Sequence, residues 1–430
     1  MHSSWSGRDI ITTCMLRRSN FERNKSMNIL FLHPNFPGQF LQLSRYLGGT
    51  GRHKVMFLSK DQNGSKLPGV QVGMYPKPRE ATKDIHRYLK LAEEAVLEGQ
   101  EVVRGIDSLK QQINFTPDVV VGHTGWGSTL YVKDILPKVP LIGYFEWYYN
   151  SIGGDSCYWP DETISIDDMC RIRTINAHHL LNLQACDVRY TPTNWQKAQF
   201  PAVYQDGMQV IHEGVETDFI KPQPGRKFIL EREKLNLSDC EELITYVSRG
   251  FEPYRGFPQF MDAIRLVLER RPKAHVVICG TDKTCYGPQL AGKTWKQVEE
   301  EKGGYDKSRV HFVGHCSRDE YLMLLQASTV HVYLTRPFIL SWSCLEALGA
   351  GCCLVSSATP PVEEAVEDGV NGLLANFRRP EHIAMRIEEA LDNPELRARL
   401  GKAARETVLE KYDLKDCMKA QLNMIYGAMK

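Results

Sequence analysis

Short apolar runs alternate with helical segments along both halves of the chain, and this alternation constrains the fold more than any other feature. The first half contains the runs NILFL, HKVMFL, DVVVGH and VPLIGYF, and the second contains ELITYVSRG, AHVVICG, RVHFVGH, VHVYL and CCLVSS. Apolar runs of this length that are separated by helices are typical of parallel, doubly wound sheets. The sequence therefore predicts an α/β protein with two Rossmann-like domains that face each other across a cleft.

The length of 430 residues exceeds what one hydrophobic core normally supports. Two prolines and a glycine lie close together in QVIHEGVETDFIKPQPGRKF, which is typical of a linker between domains. We predict a disordered extension over 1–26, an N-terminal domain over 27–212, a linker over 213–224, a C-terminal domain over 225–405 and a C-terminal helix over 406–430. For this last helix, packing against the first domain is one alternative.

Composition excludes several classes of protein. Lys and Arg total 53 against 52 Asp and Glu, so the net charge gives no argument for nucleic acid as a partner. No run of 18 apolar residues is present, and the opening 26 residues lack the order of charge and apolar core that a signal peptide has. The 12 cysteines contain no CxxC pair, which favours free thiols in the cytoplasm.

A long amphipathic stretch over 80–113 is predicted to be helical. Its charges are mixed, with Lys83, Arg87 and Lys90 against Glu93, Glu94 and Glu98. Mixed charge favours a solvated face, and peripheral contact with a membrane is the alternative.

Ligands of doubly wound sheets bind beyond the carboxyl ends of the strands, so the loops after each apolar run are the candidate sites. In SRGFEPYRGF, Arg249 and Arg255 follow a strand and precede a helix. Guanidinium groups at a helix N-terminus are suited to phosphate. The alternative is that both are solvated surface arginines.

A serine-rich turn, SWSCLEALGAG, enters another short helix. Backbone N–H groups of Ser341, Trp342 and Ser343 are candidates for holding a diphosphate, and Glu346 is a candidate for binding ribose hydroxyls. The alternative is structural, because Ser343 and Glu346 have the spacing of a capping box, in which the carboxylate only caps its own helix.

Three loops of the N-terminal half, HPNFPGQ, GHTGWGS and GYFEWYYN, supply the remaining candidates. Gly38 allows close approach of the backbone to a ligand, and His123 and Glu146 are titratable groups at strand ends. A purely structural role is the alternative for His123. The chain has no GxGxxG, Walker, HExxH or Asp-x-Asp motif, and the missing Asp-x-Asp fits a site in which arginines replace a metal ion.

Four segments, LEALGAGCCLVSS, EDGVNGLL, VIHEGVETDFIKP and VHFVGHCSRDEYLMLLQAS, together resemble motifs of the retaining family 4 glycosyltransferases of GT-B architecture. The resemblance extends from Met27 to nearly the C-terminus. It implies a nucleoside-diphosphate sugar as donor substrate, and we predict no further cofactor and no bound metal. It also implies transfer, with retention, to the hydroxyl of a sugar, lipid-linked or protein acceptor.

By this resemblance Arg249 and Arg255 fall on the Arg and Lys that hold the donor diphosphate, and Glu346 falls on the second Glu of an E-x7-E motif. We predict Arg249, Arg255, Glu146 and His123 as catalytic residues. The predicted donor-binding residues are Gly38, His315, Cys316, Ser341, Trp342, Ser343, Glu346 and Glu364.

The chain also departs from the family pattern. Phe338 stands where the first Glu of E-x7-E is expected, Glu146 stands where a His beside the donor sugar is usual, and Pro360 and Pro361 replace a common Gly pair. Two alternatives therefore stay open. One is a protein of this fold that binds a sugar nucleotide or glycan without transferring it, and the other is an epimerase or phosphorylase on the same fold.

Overall fold

A computed structural model describes residues 26–62, 64 and 66–429, so the predicted extension lies outside the described residues except for Ser26. The chain forms two compact units. The first takes the described residues up to Ser151, then Ile164–Gly214 and the segment that begins at Lys415. The second takes Ile152–Thr163 and Val215–Leu414.

The first unit is built on a seven-stranded parallel sheet of order β3-β2-β1-β4-β5-β6-β7. Its strands are β1 Asn28–Leu32, β2 Lys54–Ser59, β3 Val70–Met74, β4 Val119–His123, β5 Leu141–Tyr144, β6 Val188–Thr191 and β7 Met208–Val210. Its helices are α1 Leu41–Gly49, α2 Lys90–Ile113, α3 Val132–Ile135, α4 Ile166–Ile175, α5 Ala177–Ala185, α6 Asn194–Gln199 and α7 Ala202–Gln205.

The second unit is built on a six-stranded parallel sheet of order β12-β11-β10-β13-β14-β15, beside a small antiparallel pair, β8 and β9. Its strands are β8 Ile229–Leu230, β9 Leu235–Asn236, β10 Leu243–Gly250, β11 His275–Thr281, β12 Val310–Gly314, β13 Val330–Tyr333, β14 Leu354–Ser357 and β15 Leu373–Ala375. Its helices are α8 Phe257–Arg270, α9 Trp295–Lys302, α10 Arg318–Ala327, α11 Trp342–Gly349, α12 Pro360–Glu363, α13 Pro380–Asp392 and α14 Pro394–Lys411.

Both sheets are buried on two faces, which explains their continuous apolar strands. In the second unit, α8 and α13 cover one face with a cluster that contains Phe260, Ile264 and Ile387. Leu345 and Leu348 of α11 belong to a second cluster, which also includes Leu354 of β14. The prediction of two Rossmann-like α/β domains is confirmed.

Three predicted boundaries differ from the structure. The helix predicted over 80–113 begins at Lys90, because the carboxylate of Glu93 binds the preceding chain: it accepts from the Thr82 N–H and from Arg79, each over 2.8 Å. The predicted N-terminal domain also included 152–163, which belongs to the second unit.

The predicted C-terminal helix is divided. Helix α14 ends at Lys411 and α15 spans Leu414–Ala428, because the residues between them pair with Val215 in backbone hydrogen bonds. From Lys415 onward α15 belongs to the first unit, where Gln421 donates to the His212 carbonyl over 3.0 Å. Within the described part of the chain, no helix combines the length and apolarity needed to span a membrane.

Candidate functional site

Each sheet has one point at which the strand order reverses, and the loops after the two strands at that point leave a crevice between them. In the first unit this point lies between β1 and β4, and in the second it lies between β10 and β13. The candidate loops with Gly38, His123, Arg255 and Ser341 follow these four strands. The sequence-predicted positions therefore coincide with the ligand-binding edge of each sheet.

In the first unit, the loop after β1 folds tightly around His33. Gly38 has φ +50°, and a Cβ placed there would lie 2.5 Å from Nε2 of His33. A side chain at position 38 would therefore collide with the imidazole as well as strain the backbone. The glycine that we predicted for close approach of a ligand is needed here for close approach of His33.

His33 orients Gln39, and Gln39 orients Glu146. The backbone N–H of Asn35 donates to Nδ1 of His33 over 2.9 Å, so the proton is on Nε2, which donates to Oε1 of Gln39 over 2.8 Å. The amide nitrogen of Gln39 then donates to Oε1 of Glu146 over 2.9 Å. Burial, together with the nearby His123, lowers the pKa of His33 to about 3, so the ring is neutral at pH 7.

The second carboxylate oxygen of Glu146 faces His123. The N–H of Gly125 donates to Nδ1 of His123 over 3.0 Å, which places the ring proton on Nε2, 3.4 Å from Oε2 of Glu146. Trp126, which is 41% exposed, lies with its ring 4.3 Å from that of His123 and 5.1 Å from that of His33. Two predicted residues, His123 and Glu146, are thus brought together, with an aromatic wall beside them.

In the second unit, Arg255 ends a 3-10 turn after β10 and is buried. Its Nη1 donates to the hydroxyl of Tyr333 over 2.9 Å, to Oγ1 of Thr335 over 2.9 Å and to the carbonyl of Ile339 over 3.0 Å. The next residue, Gly256, has φ +67°, and a Cβ there would lie 2.5 Å from Cβ of Leu334. The arginine is therefore held by contacts to the end of β13 and the loop after it.

The hydroxyl of Tyr333 also accepts the backbone N–H of Ser341 over 2.9 Å, which joins the Arg255 turn to the N-terminus of α11. Burial raises the pKa of Tyr333 to about 12, so it stays a neutral hydroxyl. Ser341 is the N-cap of α11, and its hydroxyl accepts the N–H of Ser343 over 3.3 Å. Two of the three N–H groups predicted to bind diphosphate, those of Ser341 and Ser343, thus donate to oxygen atoms of the protein.

The alternative of a capping box at Ser343 and Glu346 was wrong. The helix is capped by Ser341, and Oε2 of Glu346 instead accepts the hydroxyl of Tyr321 over 2.9 Å. Burial raises the pKa of Glu346, while the hydrogen bond from Tyr321 opposes that shift. The carboxylate is thus held by a neighbouring helix and is not used to cap its own.

One aromatic ring lies beside the Arg255 guanidinium, and further rings pack next to it. The guanidinium lies 5.3 Å from the ring centre of Tyr286, and Phe338 packs edge-on against Tyr286 at 5.2 Å and Tyr254 at 5.6 Å. The fully buried Glu252 holds the Tyr286 loop, since its Oε2 accepts the N–H of Tyr286 over 2.8 Å. Desolvation raises the pKa of this carboxyl group. Phe338 thus belongs to the wall beside Arg255.

The remaining predicted residues have the following surroundings. Arg249 is exposed at the end of β10, and its carbonyl accepts from Thr281 over 2.5 Å. His315 is exposed, and Cys316 is buried beside Arg232, whose Nη2 lies 3.7 Å from Sγ. Glu364 follows α12 and is half-buried. Among the described residues, no cluster of three or more His, Cys, Asp or Glu side chains could hold a metal ion.

Several residues of these sites were missed by the sequence analysis. His33 and Gln39 lie in a loop that was a candidate, but only Gly38 was selected from it. Tyr333 lies inside an apolar strand, where a tyrosine gives no signal of its own. Its role depends on which loops meet above the strand, and no local pattern reports that.

Comparison with known proteins matches a different family to each half of the chain. The Glycosyl transferase family 4 group matches residues 51–220, and the Glycosyl transferases group 1 family matches residues 228–407. An uncharacterized glycosyltransferase of Methanocaldococcus jannaschii is 24% identical over 212 residues, which cover 49% of this chain and 50% of that protein. The D-inositol 3-phosphate glycosyltransferase of Corynebacterium glutamicum is 23% identical, with 47% of each chain covered. The chain thus matches about half the length of these curated relatives.

Solved structures extend the likeness of fold to almost the whole chain. Anabaena HepE in complex with UDP-glucose has a TM-score of 0.67 at 16% identity and covers 93% of this chain and 100% of its own. Sucrose-phosphate synthase of Thermosynechococcus elongatus has a TM-score of 0.67 at 17% identity and covers 94% of this chain and 98% of its own. The two family matches together span most of the chain, and both units fold as parallel sheets, so the chain belongs to these glycosyltransferase families and has the GT-B fold.

Proposed function

We propose that the protein transfers a sugar from a nucleoside-diphosphate sugar to the hydroxyl of a sugar, lipid-linked or protein acceptor. The transfer retains the configuration at the anomeric carbon and needs no metal ion. The observation that carries this proposal is the buried Arg255, which is held at the switch point of the second sheet and joined through Tyr333 to the N-terminus of α11. A fixed guanidinium beside a helix N-terminus is suited to a diphosphate.

The chemistry follows from where charge develops. As the sugar–phosphate bond breaks, negative charge grows on the leaving diphosphate, and Arg255 and the exposed Arg249 would compensate it. All three protein hydrogen bonds of the Arg255 guanidinium use Nη1, so Nη2 is the nitrogen that we assign to the phosphate. Preorganised charges of this kind often supply the largest part of catalysis.

The remaining roles concern sugars. Glu346, oriented by Tyr321, would accept hydrogen bonds from the donor ribose. In the first unit, Glu146 is fixed by Gln39 and faces His123. A carboxylate in this setting is suited to accepting hydrogen bonds from sugar hydroxyls or to stabilising positive charge on the anomeric carbon.

A thermal-shift panel of UDP-, GDP- and ADP-sugars tests donor binding, with UDP-glucose first because HepE holds it. A ligand at a hundredfold excess over its Kd raises stability by about 2.7 kcal/mol. Radiolabelled donor is then incubated with and without simple glycoside acceptors, and NMR of the product reads the anomeric configuration. Retained configuration in EDTA is the expected result, and inversion or full dependence on a divalent ion would contradict the proposal.

A second candidate is a binding protein without transfer, favoured by Phe338 at the position of a family carboxylate. Its ring packs between Tyr254 and Tyr286, so the site has an apolar wall there. Slow hydrolysis of the labelled donor separates the two functions, because a protein that only binds the donor releases no free sugar.

A further inference from the structure

Twelve residues of the second unit come from the middle of the first unit's sequence. The inserted segment, Ile152–Thr163, follows the β5 loop and precedes α4, yet it packs within the second unit. Its contacts show which part of the second unit it supports.

Two carboxylates anchor the inserted segment. Oδ2 of Asp155 accepts the hydroxyl of Tyr254 over 2.8 Å. Glu162 binds Arg336 in a two-pronged pair, with Nη2 to Oε1 at 2.6 Å and Nη1 to Oε2 at 3.1 Å. Glu162 also accepts the N–H of Trp159 over 3.1 Å, which fixes its own position in the segment. Paired bonds of this geometry are directional as well as strong.

Aromatic packing completes the attachment. Tyr158 and Trp159 lie against Phe377, with ring centres 5.7 and 5.2 Å away. The guanidinium of Arg336 lies 5.7 Å from the ring centre of Trp159 and 5.0 Å from that of Tyr254. Arg336 is 8% exposed, so this cation is held away from water between two rings and a carboxylate.

The two anchored residues flank the surroundings of Arg255. Tyr254 directly precedes Arg255 in the sequence. Arg336 directly follows Thr335, whose hydroxyl accepts a hydrogen bond from Arg255. The backbone N–H of Arg336 also donates to the carbonyl of Tyr254 over 2.9 Å, which joins the turn after β10 to the loop after β13. The inserted segment therefore holds both loops from which Arg255 is positioned.

We propose that Glu162 and Asp155 are positioning residues for the diphosphate site. Glu162 keeps Arg336 paired and away from the phosphates, and Asp155 fixes the turn through Tyr254, so that Arg255 presents its guanidinium at the correct angle. This inference rests on the proposed function, because it takes Arg255 to bind the diphosphate.

The test compares nucleotides that differ by one phosphate. Calorimetry gives the Kd of UDP and UMP, GDP and GMP, and ADP and AMP for the full chain, and the pair that binds most tightly is used. In E162Q we expect the preference for diphosphate over monophosphate to fall about tenfold, the effect of losing about 1.4 kcal/mol, while monophosphate binding stays near that of the unaltered protein. E162D, which keeps the charge, restores part of the preference.

D161N is the matched control, because it removes the same charge from the exposed neighbouring residue. It should bind both nucleotides as the unaltered protein does. Y254F, which deletes only the hydroxyl that Asp155 accepts, is a second variant and should lower the preference in the same direction even if E162Q folds poorly.

Other outcomes separate this inference from the proposed function. An unchanged or larger preference in both E162Q and Y254F, or equal weakening of diphosphate and monophosphate, overturns the inference and leaves a structural role. R255A is measured in parallel. If it keeps the preference, or if no nucleotide pair binds, the diphosphate site itself is wrong. If R255A abolishes the preference and E162Q and Y254F do not change it, only the positioning role is wrong.

Discussion

Nη1 of Arg255 donates to the hydroxyl of Tyr333 over 2.9 Å, and both side chains are buried. The same hydroxyl accepts the N–H of Ser341, so one oxygen atom fixes both the arginine and the start of α11. This relationship links the two elements that the sequence singled out separately as phosphate sites. A substitution that removes this oxygen atom is therefore the most direct test of the link.

Tyr333→Phe removes the acceptor of the Ser341 N–H and one of the three acceptors of Nη1 of Arg255. We expect the free energy of unfolding to fall by about 1–3 kcal/mol, the cost of an unsatisfied buried group, and turnover to fall because Arg255 loses alignment. Urea unfolding and steady-state kinetics measure the two effects. Tyr305→Phe, a half-buried tyrosine of the same unit, is the control. Normal turnover in Tyr333→Phe would show that this hydroxyl does not orient the site.

Arg255→Ala should lower turnover about a hundredfold or more, the range seen when one preorganised donor is lost. The loss should appear in kcat more than in donor KM, since the phosphate charge grows along the reaction path. Arg255→Lys should recover only part, because a point charge cannot reproduce the guanidinium fork.

The control for this series is Arg226→Ala, which removes an exposed arginine of the same unit. Activity of the unaltered enzyme should survive EDTA. An Arg249→Ala, Arg255→Ala double variant with normal turnover would place the phosphate site elsewhere.

Glu146→Gln keeps the shape of the side chain and an oxygen that can accept the hydrogen bond from Gln39. It removes the negative charge of the carboxylate. If the carboxylate stabilises positive charge on the anomeric carbon, turnover should fall about tenfold or more, with a smaller change in donor KM. Kinetics with several donor sugars check both turnover and donor choice. Glu80→Gln, on an exposed loop of the same unit, is the control. Unchanged turnover together with unchanged donor choice would remove Glu146 from the site.

The sequence could predict the sheets and the strand ends, because buried parallel strands are marked by local apolar runs. Arg255 and Glu146 were found for that reason: each follows such a run. Their partners were not, because the contacts join distant parts of the chain. Arg255 and Tyr333 are 78 residues apart, Tyr254 and Asp155 are 99 apart, and Arg336 and Glu162 are 174 apart.

The start of α11 shows a second limit. Ser341 and Ser343 are both good N-caps, and only Ser343 has a Glu three residues later. The local pattern therefore favours the wrong serine. In the structure, the Ser341 N–H is bound by Tyr333, and this tertiary contact sets where the helix begins.

The buried histidines of the first unit predict an acid-sensitive fold. Burial lowers the pKa of His33 to about 3, and it also lowers the pKa values of His178 and His179. In the unfolded chain a histidine has a pKa of about 6.5. Below that pH these histidines bind protons in the unfolded chain but stay neutral in the folded protein. The stability present at neutral pH is therefore lost as the pH falls from about 6.5 towards 3.

The contribution of His33 can be isolated by His33→Asn, which keeps an acceptor near the Asn35 N–H but does not titrate. Each buried histidine adds a slope of up to about 1.4 kcal/mol per pH unit to the free energy of unfolding. Urea unfolding between pH 7.5 and pH 4.5, roughly the span over which a histidine with these pKa values acts, should therefore show a shallower decline in His33→Asn. The other titratable groups near His33, namely His123 and Lys60, are present in both proteins. Parallel declines in the two proteins would mean that His33 is protonated in the folded state at these pH values, and would contradict its role as a neutral donor to Gln39.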